Sequence, residues 1–270
     1  MITKDEYVKI QSRLDDFKYN SLKYTEFESI KTYNILYNDE NIILIYGYNS
    51  EDKLNQYHWA CNRVEILLKA MNSENTDVLI TFIPKEWVNP LKQADFEMYA
   101  VWNDYFSESI NLADTKVDID KIQANEYDKV SEVTLACRGQ SRGFSGQTTE
   151  WVRQWVEGRE PALPSHAINS TILVKRLNTN VVGAICIATY AHESEKGAIL
   201  WLREVAVHPN YQRKGIAREL IKQAYQYGKT VGATRAFLMA DECNEHAIHL
   251  YESMGFKGCP DEVEINMIKL

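Results

Sequence analysis

The segment that most constrains this chain is a strand that runs into a glycine-bearing turn and straight on into a helix. Ala198 to Val207 (AILWLREVAV) is rich in apolar and β-branched residues and reads as a strand. Pro209 stops it, because proline cannot donate to a ladder. After Asn210 and Tyr211 comes Gln212-Arg213-Lys214-Gly215-Ile216-Ala217. From Ile216 to Lys229 the positions Ala217, Leu220, Ile221, Ala224 and Tyr225 recur three and four apart, the period of an amphipathic helix. Such a junction is an anion site. The first N–H groups of a helix lack intrahelical acceptors, and the aligned peptide dipoles place partial positive charge there. Gly215 has no Cβ to hold an oxygen atom away, and Arg213 and Lys214 add mobile positive charge. Taken alone, these residues also fit a capped helix after an ordinary turn.

The surrounding pattern alternates strands with helices and predicts an α/β architecture. Downstream, helices are expected at Tyr127–Cys137, Thr149–Glu157 and Asn244–Met254. Strands are expected at Ser170–Lys175, Val181–Tyr190 and Arg235–Ala240, about Phe256, and at Val263–Ile268. Leu177-Asn178-Thr179-Asn180 is a polar hairpin connection in which asparagine tolerates positive φ. Upstream, Asn41–Tyr48 reads as a buried strand, Leu54–Ala70 as a helix with an apolar face through Trp59, Val64, Leu67 and Leu68, Asp77–Ile83 as a strand, Trp87–Gln93 as a short helix, and Phe96–Trp102 as a strand. Between Ser107 and Asp120 the chain turns from aromatic-rich to polar and acidic, which predicts a boundary.

Composition excludes several classes. No apolar run approaches the roughly 20 residues of a membrane helix, and Met1 to Glu6 has no signal-like apolar core, so a cytoplasmic protein is expected. Cys61, Cys137, Cys186, Cys243 and Cys259 are odd in number and form no C-x-x-C, against both a disulfide framework and a zinc site. His246 and His249 are close, without a third ligand nearby, so no metal is expected. The net charge of −8 lies entirely in residues 1–114, with 11 basic and 19 acidic side chains; the rest carries 19 of each. An acidic half speaks against nucleic acid, suits a cationic partner, and equally describes a solvated surface.

The stretch from Val205-Ala206-Val207 through Gln212-x-x-Gly215-x-Ala217 resembles the signature of the GCN5-related N-acetyltransferases, a strand followed by Q/R-x-x-G-x-G/A. A second motif follows: Asn244, Ala247, Leu250-Tyr251 and Gly255-Phe256 match N-x-x-A-x-x-L-Y-x-x-x-G-F. The resemblance covers about residues 115–270, within an expected catalytic domain of residues 113–270, and implies a mixed, mostly antiparallel sheet flanked by helices. It implies that acetyl-CoA binds where two central strands splay, the pantetheine pairing with main-chain groups of Val205, Ala206 and Val207. The pyrophosphate would then lie on Gln212, Arg213, Lys214, Gly215, Ile216 and Ala217, with Asn244 contacting the pantetheine arm. Asn244 is also a good N-cap.

Tyr251 lies two helical turns past Asn244 and matches a tyrosine that protonates the departing thiolate; it could equally be a core tyrosine. Glu204 is the candidate base for the incoming ammonium, although a strand carboxylate in an ion pair with Arg203 or Arg235 is the alternative. No protein nucleophile is needed, so Cys243 reads as a passive core residue.

The acceptor side is expected between Arg138 and Ser165. Arg138 and Arg142 in a glycine-rich stretch suggest a carboxylate-bearing acceptor, with Trp151 and Trp155 along one helix face. Upstream, Pro90–Tyr99 is a worn version of the L-Y-x-x-x-G-F segment, with Asp95 in place of the glycine and no phosphate turn before it. Residues 1–112 therefore read as a degenerate copy of the fold, and the chain as two tandem domains. The function expected is acetyl transfer to a primary amine of a small molecule or peptide. A non-catalytic acyl-CoA sensor is the alternative.

Overall fold

The computed structural model describes residues 1–49, 53–71, 77–111, 117–161, 163–164 and 166–270. Its contacts divide the chain into two units, Met1–Trp102 with Glu264–Leu270, and Asn103–Val263. Part of the expected boundary, residues 112–116, and Ser165 of the expected acceptor region lie outside the described residues.

In the first unit, α1 (Lys4–Gln11) opens with a reciprocal capping box between Thr3 and Glu6. β1 (Tyr19–Asn20) and α2 (Phe27–Ile30) precede β2 (Asn34–Asn38), β3 (Ile42–Asn49), β4 (Leu54–Cys61), α3 (Val64–Ala70), β5 (Val78–Ile80) and α4 (Val88–Gln93). The sheet order is β2-β3-β4-β5, with β3 antiparallel to both neighbours and β4 parallel to β5. The segment Leu54–Cys61, expected to be helical, is strand. Ile42 to Ile45 are buried without alternation, so β3 has apolar contacts on both faces and its backbone groups must find partners at its edges. β4 supplies them in unbroken register from Ile42–Cys61 to Asn49–Leu54. The helix begins only at Val64, after the extended Arg63. Asp77–Ile83 is shortened to Val78–Ile80, because Phe82 turns the chain with φ 57°.

In the second unit, β6 (Glu97–Ser107) leads in from the first; then come α5 (Tyr127–Ala136), α6 (Thr149–Val156), β7 (Ile168–Leu177), β8 (Asn180–Tyr190), β9 (Ala198–Val207), α7 (Ile216–Thr230), β10 (Ala233–Asp241), α8 (Glu245–Ser253) and β11 (Lys257–Lys269). The order is β7-β8-β9-β10-β6-β11. β8 is antiparallel to β7 and β9, while β9 and β10 are parallel. The two closing strands expected around Phe256 and Val263 are one strand, β11, whose last residues pair with β5. Asn178 takes φ 57° in the two-residue connection of the β7–β8 hairpin, as its side chain allows.

β8 is buried on both faces, and that is what centres the unit. Ala184, Cys186 and Ala188 pack with Val130, Val133, Val152 and Trp155 of α5 and α6. Ile185 and Ile187 face the other way, into the cluster holding Leu220, Ile221 and Ala224 of α7. Gly183 sets how closely α7 approaches: a Cβ there would lie 2.9 Å from Ile216 Cγ2 and 3.1 Å from Leu220 Cδ1. Gly183→Ala is therefore expected to destabilise the protein by about 1–3 kcal/mol through overpacking, read from the denaturant midpoint.

Candidate active site

The ladder between β9 and β10 stops at the pair Trp201–Phe237. Past that point β9 continues to Val207 with β8 as its partner, from Cys186–Glu204 to Gly183–Val207. One backbone edge of Leu202–Val207 is thus left without a strand partner among the described residues, although both strands run on. An extended chain can add to such an edge by main-chain hydrogen bonding. A bulge falls at the same place. Ile187 opposes Leu202 and Cys186 opposes Glu204, so Arg203 has no partner across β8. The bulge shifts the alternation by one residue and puts Glu204 on the same face as Trp201.

At the end of this edge lies the turn into α7. Arg213 and Gly215 are both left-handed, with φ 61° and 80°. Nothing lies within 4 Å of where a Cβ on Gly215 would stand, and no side chain caps the helix. Open space therefore meets the free N–H groups of a helix start, with Arg213 and Lys214 exposed beside it. A diphosphate fits this cradle in charge and donors. Ile216 and Ala217 turn their side chains into the core, so they offer only main chain to a ligand. Gln212 is a brace: its Nε2 donates to Val207 O at 2.9 Å and to Gln140 Oε1 at 3.2 Å. Lys214 Nζ reaches Asn210 O at 3.2 Å, and Arg213 meets His246 Nε2 at 3.0 Å.

Glu204 is buried, 8% exposed, and accepts from Gln147 Nε2 at 3.0 Å and Arg203 Nη1 at 2.9 Å. Burial raises its pKa; the Arg203 charge and the Gln147 hydrogen bond oppose the shift and do not cancel it. Arg235, the other candidate partner, instead donates to Gly197 O and Ser194 Oγ. Tyr251 is buried in α8 against Phe256, 6.1 Å between ring centroids, and its hydroxyl has no protein hydrogen-bond partner among the described residues. Its pKa is pushed well above the ordinary phenol value, first by burial and second by the Glu204 charge. Two proton-carrying groups thus share one electrostatic environment at the open edge.

The loop from Arg138 to Gln147 departs from expectation. Arg138 is exposed and donates from Nε to Ser145 O, whereas Arg142 presents no free guanidinium: it grips Asp241 through its backbone N–H (2.7 Å) and Nη2 (2.6 Å), with Glu242 at 3.3 Å. The Asp241 side chain is fully buried, so Arg142 is the counterion of a carboxylate within the protein. Trp155 is likewise no lining residue. It is 0% exposed, and its Nε1 donates to Thr171 O and Ile187 O at 3.2 and 3.3 Å. Its neighbour Trp151 stacks on it at 5.1 Å. Cys243 is exposed, not core, and its thiol donates to Asp241 at 2.8 Å. Asn244 caps α8, accepting from Ala247 N at 3.2 Å, and donates to Ser141 Oγ at 3.0 Å.

Gln147 and Asp241 escaped the sequence reading. Gln147 is one polar residue in a polar loop, and only folding brings it to Glu204. Asp241 left a faint signal, a carboxylate closing an apolar strand three residues before Asn244. No group of three or more His, Cys, Asp or Glu residues arranged to hold a metal occurs among the described residues. No helix among them is long and apolar enough to cross a membrane.

A parallel strand pair that opens into a gap, with a phosphate-cradling turn at the end of the first strand, defines the acyl-CoA N-acyltransferase fold. Residues 142–256 match the acetyltransferase (GNAT) family. Over 54 residues it is 41% identical to spermidine N(1)-acetyltransferase of Escherichia coli K12, covering 20% of this chain and 29% of that protein. Over 60 residues it is 35% identical to streptothricin acetyltransferase of Streptomyces lavendulae, covering 22% and 32%. The chain thus spans under a third of the length of these curated relatives. A GNAT-family acetyltransferase from Colwellia psychrerythraea superimposes with a TM-score of 0.58 at 11% identity, over 100% of this chain and 98% of that one. A GCN5-related N-acetyltransferase from Sphaerobacter thermophilus gives 0.56 at 12%, over 84% and 76%. At these identities the likeness is one of fold.

Arg142→Ala leaves the Asp241 carboxylate buried beside Cys243. Discounted for the one-third exposure of Arg142, a loss of about 1–2 kcal/mol is expected in chemical denaturation. Burial raises the Asp241 pKa, and the bonds from Arg142 and Cys243 outweigh it to leave a net lowering. This carboxylate therefore stabilises the fold above its unfolded pKa, and that stability is lost as pH falls through the lowered value. In the variant that acid-side loss should shrink.

Proposed function

We propose that the second unit transfers an acetyl group from acetyl-CoA to the primary amine of a small molecule or peptide, by direct attack in a ternary complex. The observation that carries this reading is the conjunction of the unpaired β9 edge, the open cradle at Gly215, and Glu204 and Tyr251 in mutual electrostatic reach. Acetyl-CoA would supply an acetyl group activated as a thioester, held by the main chain of Val205–Val207 and of Arg213–Ala217. Gln212 acts by bracing the turn and Asn244 by starting α8.

An alkylammonium has no lone pair and must lose a proton before it attacks. Glu204 takes that proton, and its raised pKa makes it a stronger base than an exposed carboxylate. The thiolate that leaves needs a proton, and Tyr251 gives it. Its raised pKa keeps the phenol protonated across the neutral range, so the donor is always loaded. Amine attack on the thioester carbonyl makes the C–N bond as the C–S bond breaks. The thiolate takes the Tyr251 proton, the tyrosinate recovers one from the nitrogen of the adduct, and the proton held by Glu204 leaves to solvent. The two relatives, whose names give spermidine and streptothricin as acceptors, support a small-molecule amine.

The first unit supports a reading as a degenerate copy. Its β2-β3-β4-β5 run repeats the antiparallel, antiparallel, parallel pattern of β7-β8-β9-β10. The connection from β4 enters α3 through an extended Arg63, without the left-handed glycine that forms the cradle.

Tyr251→Phe is expected to lower kcat about 10²–10⁴-fold with little change in coenzyme A affinity. In wild type, activity should fall as acid protonates Glu204, and Glu204→Gln should be slow and lack that limb. Thiol release measured across amino acids, polyamines, aminoglycosides and peptides tests the reaction itself. Tight coenzyme A binding with no release from any amine would overturn it in favour of a sensor.

A further inference from the structure

We propose that the acceptor carries a compact apolar group, an aromatic ring or branched alkyl joined to the amine by a short spacer, seated in the cavity lined by Pro164, His166, Tyr190, Trp201 and Phe237. The inference rests on the acetyl-transfer reading of the same site. The cavity measures about 150 Å³, room for one benzene-sized group, and it opens to the surface. The surface it exposes is almost wholly apolar, so it offers little to a sugar hydroxyl.

Its position ties it to the reaction. Trp201 and Phe237 are the last pair of the β9–β10 ladder, so the cavity stands where the gap begins. Trp201 opposes Ala188 and Glu204 opposes Cys186, two residues apart on β8. The bulge at Arg203 therefore makes Trp201 and Glu204 adjacent positions on one face, about 7 Å apart along the strand. Without the bulge they would point to opposite faces. Tyr190, at the end of β8, has the same parity as Ala188 and completes that face, with His166 packed edge-on against it at 5.9 Å. An amine delivered to Glu204 thus places whatever lies two to four carbons away, about 7 Å, over Trp201 and Phe237.

Charge argues the same way. The Arg203 guanidinium lies 5.8 Å from the Trp201 ring centroid, so that ring already serves one cation, and a second beside it would be repelled. With Arg142 engaged by Asp241 inside the protein, it does not supply the carboxylate contact that the loop sequence suggested. What remains open for specificity is shape and apolar surface.

The test compares 3-phenylpropylamine with propylamine and spermidine in the full-length protein, following thiol release from acetyl-CoA. It also measures calorimetric binding of 3-phenylpropylamine to the coenzyme A complex. The ring-bearing amine is expected to exceed propylamine in kcat/KM by at least about tenfold. Phe237→Ala should reduce that ratio about tenfold, and His166→Trp, which fills the seat without removing a sheet residue, should reduce it likewise. Thermal melting confirms that both variants fold. Leu177→Ala, an exposed position at the end of β7, serves as the control that keeps the ratio. Equal kcat/KM for the ring-bearing and ring-free amines, or a preference for spermidine, overturns the proposal while leaving acetyl transfer standing. Phe237-dependent binding of the ring-bearing amine with no thiol release overturns the transfer reading and leaves the cavity assignment standing. Absence of both binding and release overturns both.

Discussion

The rest of the second unit depends on the point where the β9–β10 ladder ends. Parallel pairing holds as far as Trp201–Phe237, and beyond it β9 has a partner on one side alone. Unpaired N–H and C=O groups in a sheet interior are unfavourable unless something satisfies them, and on the proposed reading an extended ligand does so here. Keeping it open requires that both strands be held from elsewhere. β9 is held by β8, which is buried on both faces. β10 is anchored at its far end, where Asp241 is gripped by Arg142. The phosphate turn can then be short, because α7 is seated close to the sheet over Gly183 and Gln212 ties the turn back to Val207.

The bulge at Arg203 is the second constraint, and it decides the chemistry. One inserted residue aims Glu204 at the α5–α6 face, where Gln147 and Arg203 hold its carboxyl. Burial raises the Glu204 pKa against those two donors, and the Glu204 charge adds to burial in raising the Tyr251 phenol.

Much of this was legible in the sequence. The strand Ala198–Val207 has the expected bounds, and α7 extends one residue past the expected Lys229, because a β-branched run, a proline stop and a 3.6-residue stripe all act locally. The glycine at 215 is left-handed, as a turn into a helix demands. Where the reading failed, a distant partner had decided the outcome. Leu54–Cys61 has apolar residues at helical spacing, yet the edge of β3 claimed it as a strand. Arg142 and Trp155 have side-chain types that bind ligands well, and the fold used both internally. Arginine in a glycine-rich loop is the same signal whether its carboxylate belongs to a substrate or to a residue 99 positions away.

The sequence by itself determined the donor side: a turn of short range, whose amides, glycine and cations are contiguous in the chain and need only a strand and a helix to orient them. The acceptor side was decided by the tertiary structure. A cavity between Pro164, Tyr190, Trp201 and Phe237 joins residues from three strands and a distant connection, and no local pattern encodes its shape. The face on which Glu204 stands depends on a bulge, and a bulge exists only in the pairing of two strands.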